Sequence, residues 1–171
     1  MHMLNKSCHI CLGFIRPIPH VPGWSGCSCG MRRRTVEIIK LNDYITASNK
    51  YPERMNDKEC TKAVKDNALV LLNKVNQLLE ELGIKTATVS SGFRPSAVNA
   101  ATKGAAKKSL HMSGRAIDLY DPNHEIAHKI LANPELLKKY DLWMEDIAAT
   151  PRWTHLDNGT RTERALRIFK V

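Results

Sequence analysis

The feature that most restricts how this 171-residue chain can fold lies between residues 57 and 82. Cys60, Val64, Asn67, Leu71, Val75, Leu78 and Leu82 recur at steps of three and four, which is the period of one helix face. A helix of that length gains most of its stability from burying its stripe, so the rest of the chain must supply a matching apolar surface. Asn56 with Glu59 three residues on predicts a capping box that starts the helix at Asp57. Gly83 predicts its end. Cys60 shares the apolar face and is expected to be a core thiol rather than a nucleophile.

Strands are the natural partner. Thr35–Leu41 (TVEIIKL) is β-branched and alternating, and Ile84–Ser90 has strand character. Two more strands are expected at Leu142–Glu145 and Trp153–Leu156, joined by a loop that contains Pro151. Pro95 opens a short helix to about Ala101, and Asp121-Pro122-Asn123 starts another that Pro134 ends. Helices and strands without βαβ rhythm point to an α+β fold around an antiparallel sheet. There is no internal repeat.

Residues 1–34 differ in kind from 35–171, and the two are read as separate units. The first holds Cys8, Cys11, Cys27 and Cys29, a proline-rich stretch and the run Arg32-Arg33-Arg34. It cannot build an apolar core. Cys-x2-Cys followed by Cys-x-Cys would let four thiolates clamp a structural zinc; a disulfide or an unstructured tail are the alternatives. The triple arginine is most simply a solvated linker. The start, MHMLNKSCHICLGFI, lacks the pattern of a secretory signal, so the chain is expected to be made and kept in the cytosol until something releases it. No apolar run approaches membrane-spanning length.

Net charge is +9, which favours an anionic partner without choosing one. Nucleic acid is disfavoured because aromatic residues make up only 6% of the chain and do not interleave with the arginines.

The chemistry gathers around His111, Asp118 and His155. Asp118 follows the glycine turn at Gly114, and the small Ala116 on the same strand face leaves room for a metal. An antiparallel neighbour could bring His155 against Asp118, and Glu145 closes the preceding strand as a candidate general base. Two nitrogens and a carboxylate with one open position make a catalytic zinc set. Each residue alone has a plain alternative: a strand histidine hydrogen-bonded in the core, an aspartate on backbone donors, a glutamate on a rim. A competing pattern, His124-Glu125-Ile126-Ala127-His128, matches the zincin motif H-E-x-x-H. It falls on the first turn of a short helix, where an ordinary solvated surface is the better reading.

Taken together, Ser109-Leu-His111-Met-Ser-Gly114-Arg-Ala116-Ile-Asp118 resembles the S-x-H-x-x-G-x-A-x-D signature of the M15 family of zinc D-Ala-D-Ala peptidases. Ser91-Gly92-Phe93-Arg94-Pro95, with Asn99 after it, resembles that family's upstream segment, and Trp153-Thr154-His155-Leu156 its closing W-x-H strand. The resemblance runs from about residue 35 to the end and looks closest to compact bacteriophage-encoded murein peptidases. It implies a hedgehog/DD-peptidase fold, a small antiparallel sheet flanked by helices. It implies that His111, Asp118 and His155 hold Zn2+, that Glu145 is the base, and that Arg94 and Ser109 contact substrate. Peptidoglycan peptides become the expected partner, cut by a D,D-carboxypeptidase or by an endopeptidase at the L-Ala–D-Glu bond. The cysteine-rich head could dock to virion or tail proteins, and action at the cell wall follows release from the host. One position departs from the pattern. Many members carry an acid three residues before the last histidine, and here that residue is Arg152, so Glu145, with Asp146 in reserve, must supply the base. The same departure leaves open a non-catalytic, zinc-bearing binding protein on the same scaffold.

Overall fold

The structure, a computed structural model, describes residues 36–47, 57–162 and 166–170. The chain divides into Met1–Arg33 and Arg34–Val171, and every described residue belongs to the second unit. Cys8, Cys11, Cys27 and Cys29, and with them the expected zinc knuckle, lie outside the described residues.

The long helix, α2, spans Lys62–Glu81, and its buried stripe includes Val64, Leu71, Val75 and Leu78. Its start lies five residues later than the expected Asp57. Asp57 folds back to accept from the Glu59 amide (2.9 Å for the following Cys60 N to Asp57 O), closing a turn instead of a helix. Thr61 is the cap, its hydroxyl accepting from the Val64 amide. Glu59, expected in the capping box, accepts from the amide and hydroxyl of Ser96 instead. Gly83, at φ +69, ends the helix as expected. Cys60 is buried in the core, where burial pushes its thiol pKa up.

The expected strand at 35–41 is corrected among its described residues. Residues 36–40 are irregular, and α1 begins at Leu41 and runs to Thr46. The reason is local. The Asn76 side chain on α2 accepts from Ile39 N at 2.9 Å and donates to Ile39 O at 3.0 Å, satisfying the backbone that a strand neighbour would have served.

Five strands form one sheet in the order β1-β2-β4-β3-β5. They are β1 (Val89–Ser91), β2 (Ala116–Tyr120), β3 (Trp143–Glu145), β4 (Trp153–Asp157) and β5 (Ile168–Phe169). All pairings are antiparallel except β3 with β5, which is parallel, so the sheet is mixed where a purely antiparallel one was expected. Ile84–Thr88, expected as strand, carries no strand assignment, although Thr88 O accepts from the Tyr120 amide at 2.8 Å, and the strand itself starts at Val89. Between the strands lie α3 (Ser96–Ala101), a 3-10 turn (Leu110–Ser113), α4 (Glu125–Ala132) and α5 (Glu135–Lys139). Pro134 stands between the last two and caps the second. This mixed α+β arrangement, a small sheet with flanking helices, fits the hedgehog/DD-peptidase expectation.

Alternation on the strands sorts the side chains. Ile117, Leu119, Met144 and Leu156 join the α2 stripe in the core. Ala116 and Asp118, Trp153, His155 and Asp157, Glu145 and Phe169 occupy the alternate positions, which builds the other face. Among the described residues no helix is long and apolar enough to cross a membrane.

Candidate metal centre

Three elements deliver the three candidate ligands. The 3-10 turn carries His111, and Ser109 caps it by accepting from the His111 amide. Gly114 closes the turn at φ +74, and a Cβ there would lie 2.4 Å from the Val64 carbonyl oxygen of α2. Only glycine lets the turn sit that close to the helix. Asn67 of α2 donates to Ser113 O at 2.9 Å and pins the turn from the same side. Strand β2 carries Asp118, and β4 carries His155 directly opposite in register.

Among the described residues, His111, Asp118 and His155 form a group whose ligand atoms all lie within 4.8 Å of one another. His111 is buried, and its Nδ1 faces Gly92 O at 2.8 Å. A carbonyl can only accept, so Nδ1 carries the hydrogen and Nε2 presents a lone pair. That Nε2 is buried without a hydrogen-bond partner and lies 3.4 Å from Asp118 Oδ1. Burial lowers the His111 pKa, favouring the neutral ring, although Asp118 opposes the shift. Two lone-pair atoms thus face each other out of water, an arrangement that a cation between them would relieve. The donor set, nitrogen, nitrogen and carboxylate, is one that zinc accepts.

His155 Nδ1 lies 2.6 Å from Asp118 Oδ1, and its Nε2 lies 3.3 Å from Asp157 Oδ2. Burial opposes protonation of His155, yet the two carboxylates outweigh it and raise its pKa to about 9. For Asp118, burial would push the carboxyl up, but the two imidazoles hold it well below the usual carboxylate range. Arg94 supports the same carboxylate, donating from Nη2 to Asp118 Oδ2 at 3.0 Å and from Nε to Ser91 Oγ at 2.9 Å.

A cleft of about 780 Å³ opens over this group. Glu145, Arg94 and Ser109 line it together with the three candidate ligands. The antiparallel count that pairs Trp143 with Asp157 and Met144 with Leu156 brings Glu145 abreast of His155. Glu145 is half-buried, and burial raises its carboxyl pKa. Asp146, the reserve, is outside the cleft and accepts from the Ala148 amide and from Lys170. Asn99 donates to Ala106 O at 3.0 Å and so ties down the glycine- and lysine-rich loop that forms one wall. Arg152, at the departing position, is exposed and donates to the Tyr120 hydroxyl.

The second histidine pair is placed elsewhere. His124 sits at φ 56, outside α4 as its N-terminal flank, while Glu125 and His128 are exposed. Two residues that sequence reasoning missed complete the picture. Gly92 orients His111, and Asp157 contacts His155. Asp157 had a legible signal: it stands two residues after His155, on the same strand face.

The family description Peptidase M15 matches residues 48–157, a span that includes every residue of the cleft's histidine and aspartate group. No curated protein and no solved structure matches the chain. Since that match covers more than half of the chain and its signature residues meet in one cleft, the chain belongs to the peptidase M15 family.

Proposed function

We propose that the protein is a zinc metallopeptidase that hydrolyses peptide bonds of bacterial peptidoglycan, with His111, Asp118 and His155 as the metal ligands. The observation that carries this reading is the buried, hydrogen-bond-free Nε2 of His111, facing Asp118 inside a cleft that also holds His155. When bound, zinc supplies Lewis acidity that polarises a carbonyl and eases deprotonation of water. The remaining work falls to the chain. Glu145, its carboxyl pKa raised by burial, takes a proton from water in the cleft and returns it to the leaving amine. Arg94 spends one N–H on Asp118 and one on Ser91, which leaves three of the five guanidinium donors for a substrate carboxylate or carbonyl. Ser109 contributes a hydroxyl at the rim beside His111.

The basic balance of the chain fits an anionic wall substrate. A phage origin, delivery to the wall on host lysis or with a virion, and a second zinc on Cys8, Cys11, Cys27 and Cys29 belong to the same proposal. A non-catalytic scaffold is the second reading, and Arg152 is the residue that favours it. Glu145 favours catalysis, since it puts a carboxylate in the cleft wall that can serve as the base.

The test is incubation of the full chain with muropeptides, with and without a chelator, followed by mass analysis of the products. Loss of a terminal D-Ala identifies a carboxypeptidase, and cleavage between L-Ala and D-Glu an endopeptidase. Intact muropeptides in every condition would leave the scaffold reading.

A further inference from the structure

Asp157 is fully buried, and its carboxylate is crowded with donors. Oδ1 accepts from Gly159 N at 2.8 Å, and Arg161 grips both oxygens, with 2.8 Å from Nη2 to Oδ2. The fourth neighbour is His155 Nε2, at 3.3 Å from Oδ2. Arg161 in turn lies flat enough on Phe169 of β5 to place its guanidinium carbon 3.8 Å from the ring centroid. Phe169 also stands edge-on to the His155 ring, with centroids 6.0 Å apart. Gly159 allows this packing. A Cβ on it would lie 2.6 Å from a Leu110 methyl, 3.0 Å from Asp157 Oδ1 and 3.1 Å from Arg161 Nη1.

We propose that Asp157, locked in place by Arg161 on the Phe169 ring, is a positioning residue of the metal centre. It accepts the Nε2–H of His155 and so presents Nδ1, as a lone pair, to the metal beside Asp118. The inference rests on the zinc reading given above. The logic is that of a ligating histidine whose second nitrogen is fixed by a carboxylate. With a cation held between Nδ1 and Asp118, the one hydrogen of the neutral imidazole sits on Nε2, where Asp157, which can only accept, takes it. Arg161 fixes the plane of the carboxylate through two parallel hydrogen bonds. The supports, Gly159, Arg161 and Phe169, all lie beyond residue 157, where the family match ends. The parallel pairing of β5 with β3 brings Phe169 under the Arg161–Asp157 pair.

The alternative is an ion pair that only stabilises the fold. The two separate in the full-length protein with metal readouts. Zinc affinity is measured by competition with a chromophoric chelator, and the absorption spectrum of the cobalt-loaded protein reports ligand geometry. Asp157→Asn should weaken zinc binding by about 10–100-fold and change the cobalt spectrum, as removal of an outer carboxylate does at such sites. Arg161→Lys keeps the charge, loses the two-pronged grip, and should weaken binding by a smaller factor with the same spectral change. A folded Asp157→Asn protein with parental zinc affinity and cobalt spectrum overturns the proposal. Should Asp157→Asn fail to fold, the same parental result for Arg161→Lys overturns it. A parent that binds zinc alongside indifferent variants contradicts only this inference, whereas a parent that binds none contradicts the zinc reading itself.

Discussion

Gly92 does two jobs that a larger residue could not combine. A Cβ there would lie 1.9 Å from the Tyr44 carbonyl oxygen, so the chain passes closer to α1 than any side chain permits. Its own carbonyl fixes the hydrogen of His111 on Nδ1. Gly92→Ala should therefore cost about 1–3 kcal/mol or more through overpacking against backbone. It should also weaken metal binding, because the shift moves the group that sets the His111 tautomer. Denaturant unfolding and chelator competition measure the two effects, and parental values in both would remove Gly92 from the site. Glu145 gives the opposite pattern. Glu145→Gln keeps the volume and the ligands, so zinc binding and melting should stay near parental. Hydrolysis should fall about 10²–10⁴-fold, the usual contribution of a positioned acid–base group. Steady-state rates on a muropeptide check this, and an unchanged rate would move the base elsewhere.

Among the secondary-structure elements, Asp141 links three that are distant in sequence. It lies in the turn before β3 at φ 50, and its carboxylate pairs with Lys74 of α2 and with Arg167 just before β5. Lys74 first, and Arg167 next, hold its pKa below the ordinary 3.8. A depressed folded-state value means that the stabilisation is present above 3.8 and is lost as pH falls below it. Because the carboxylate is largely exposed, the effect should be modest, within the range of about 0–1 kcal/mol for surface pairs. Asp141→Asn tolerates the same backbone, so the melting difference between parent and variant should be clear near neutrality and shrink toward pH 3. A difference that grows on acidification would contradict the assignment. The elements also show what a sequence can carry. Helix α2 was legible because its period repeats along its whole length, but its first turn was not. Thr61 takes the cap expected of Asn56, and Glu59, expected in the capping box, meets Ser96, a contact 37 residues away. The segment 36–40 has strand-like alternation, yet Asn76 of α2 takes its hydrogen bonds. Strand β5, two residues long and parallel, is too short to show an alternation. The site was more legible than the fold around it, since His111, Asp118 and His155 sit in spaced motifs. Arg161 and Phe169 were not, because only tertiary packing brings them to Asp157.

Across the whole molecule, the proposed function depends on the candidate metal group of His111, Asp118 and His155 in the 34–171 unit. His111 is the most exacting probe of that group, being buried with one ring nitrogen committed to Gly92 and the other without a hydrogen-bond partner. His128 serves as the matched control, exposed on α4 and outside the cleft. The decisive measurement is the rate of muropeptide hydrolysis by chelator-stripped protein as zinc is returned. The stripped parent should be inactive and should recover with added zinc until the site is filled. His128→Ala should follow the parent, and His111→Ala should stay inactive at every zinc concentration that restores the parent. Hydrolysis that survives stripping, or that zinc restores equally in His111→Ala, would contradict the account.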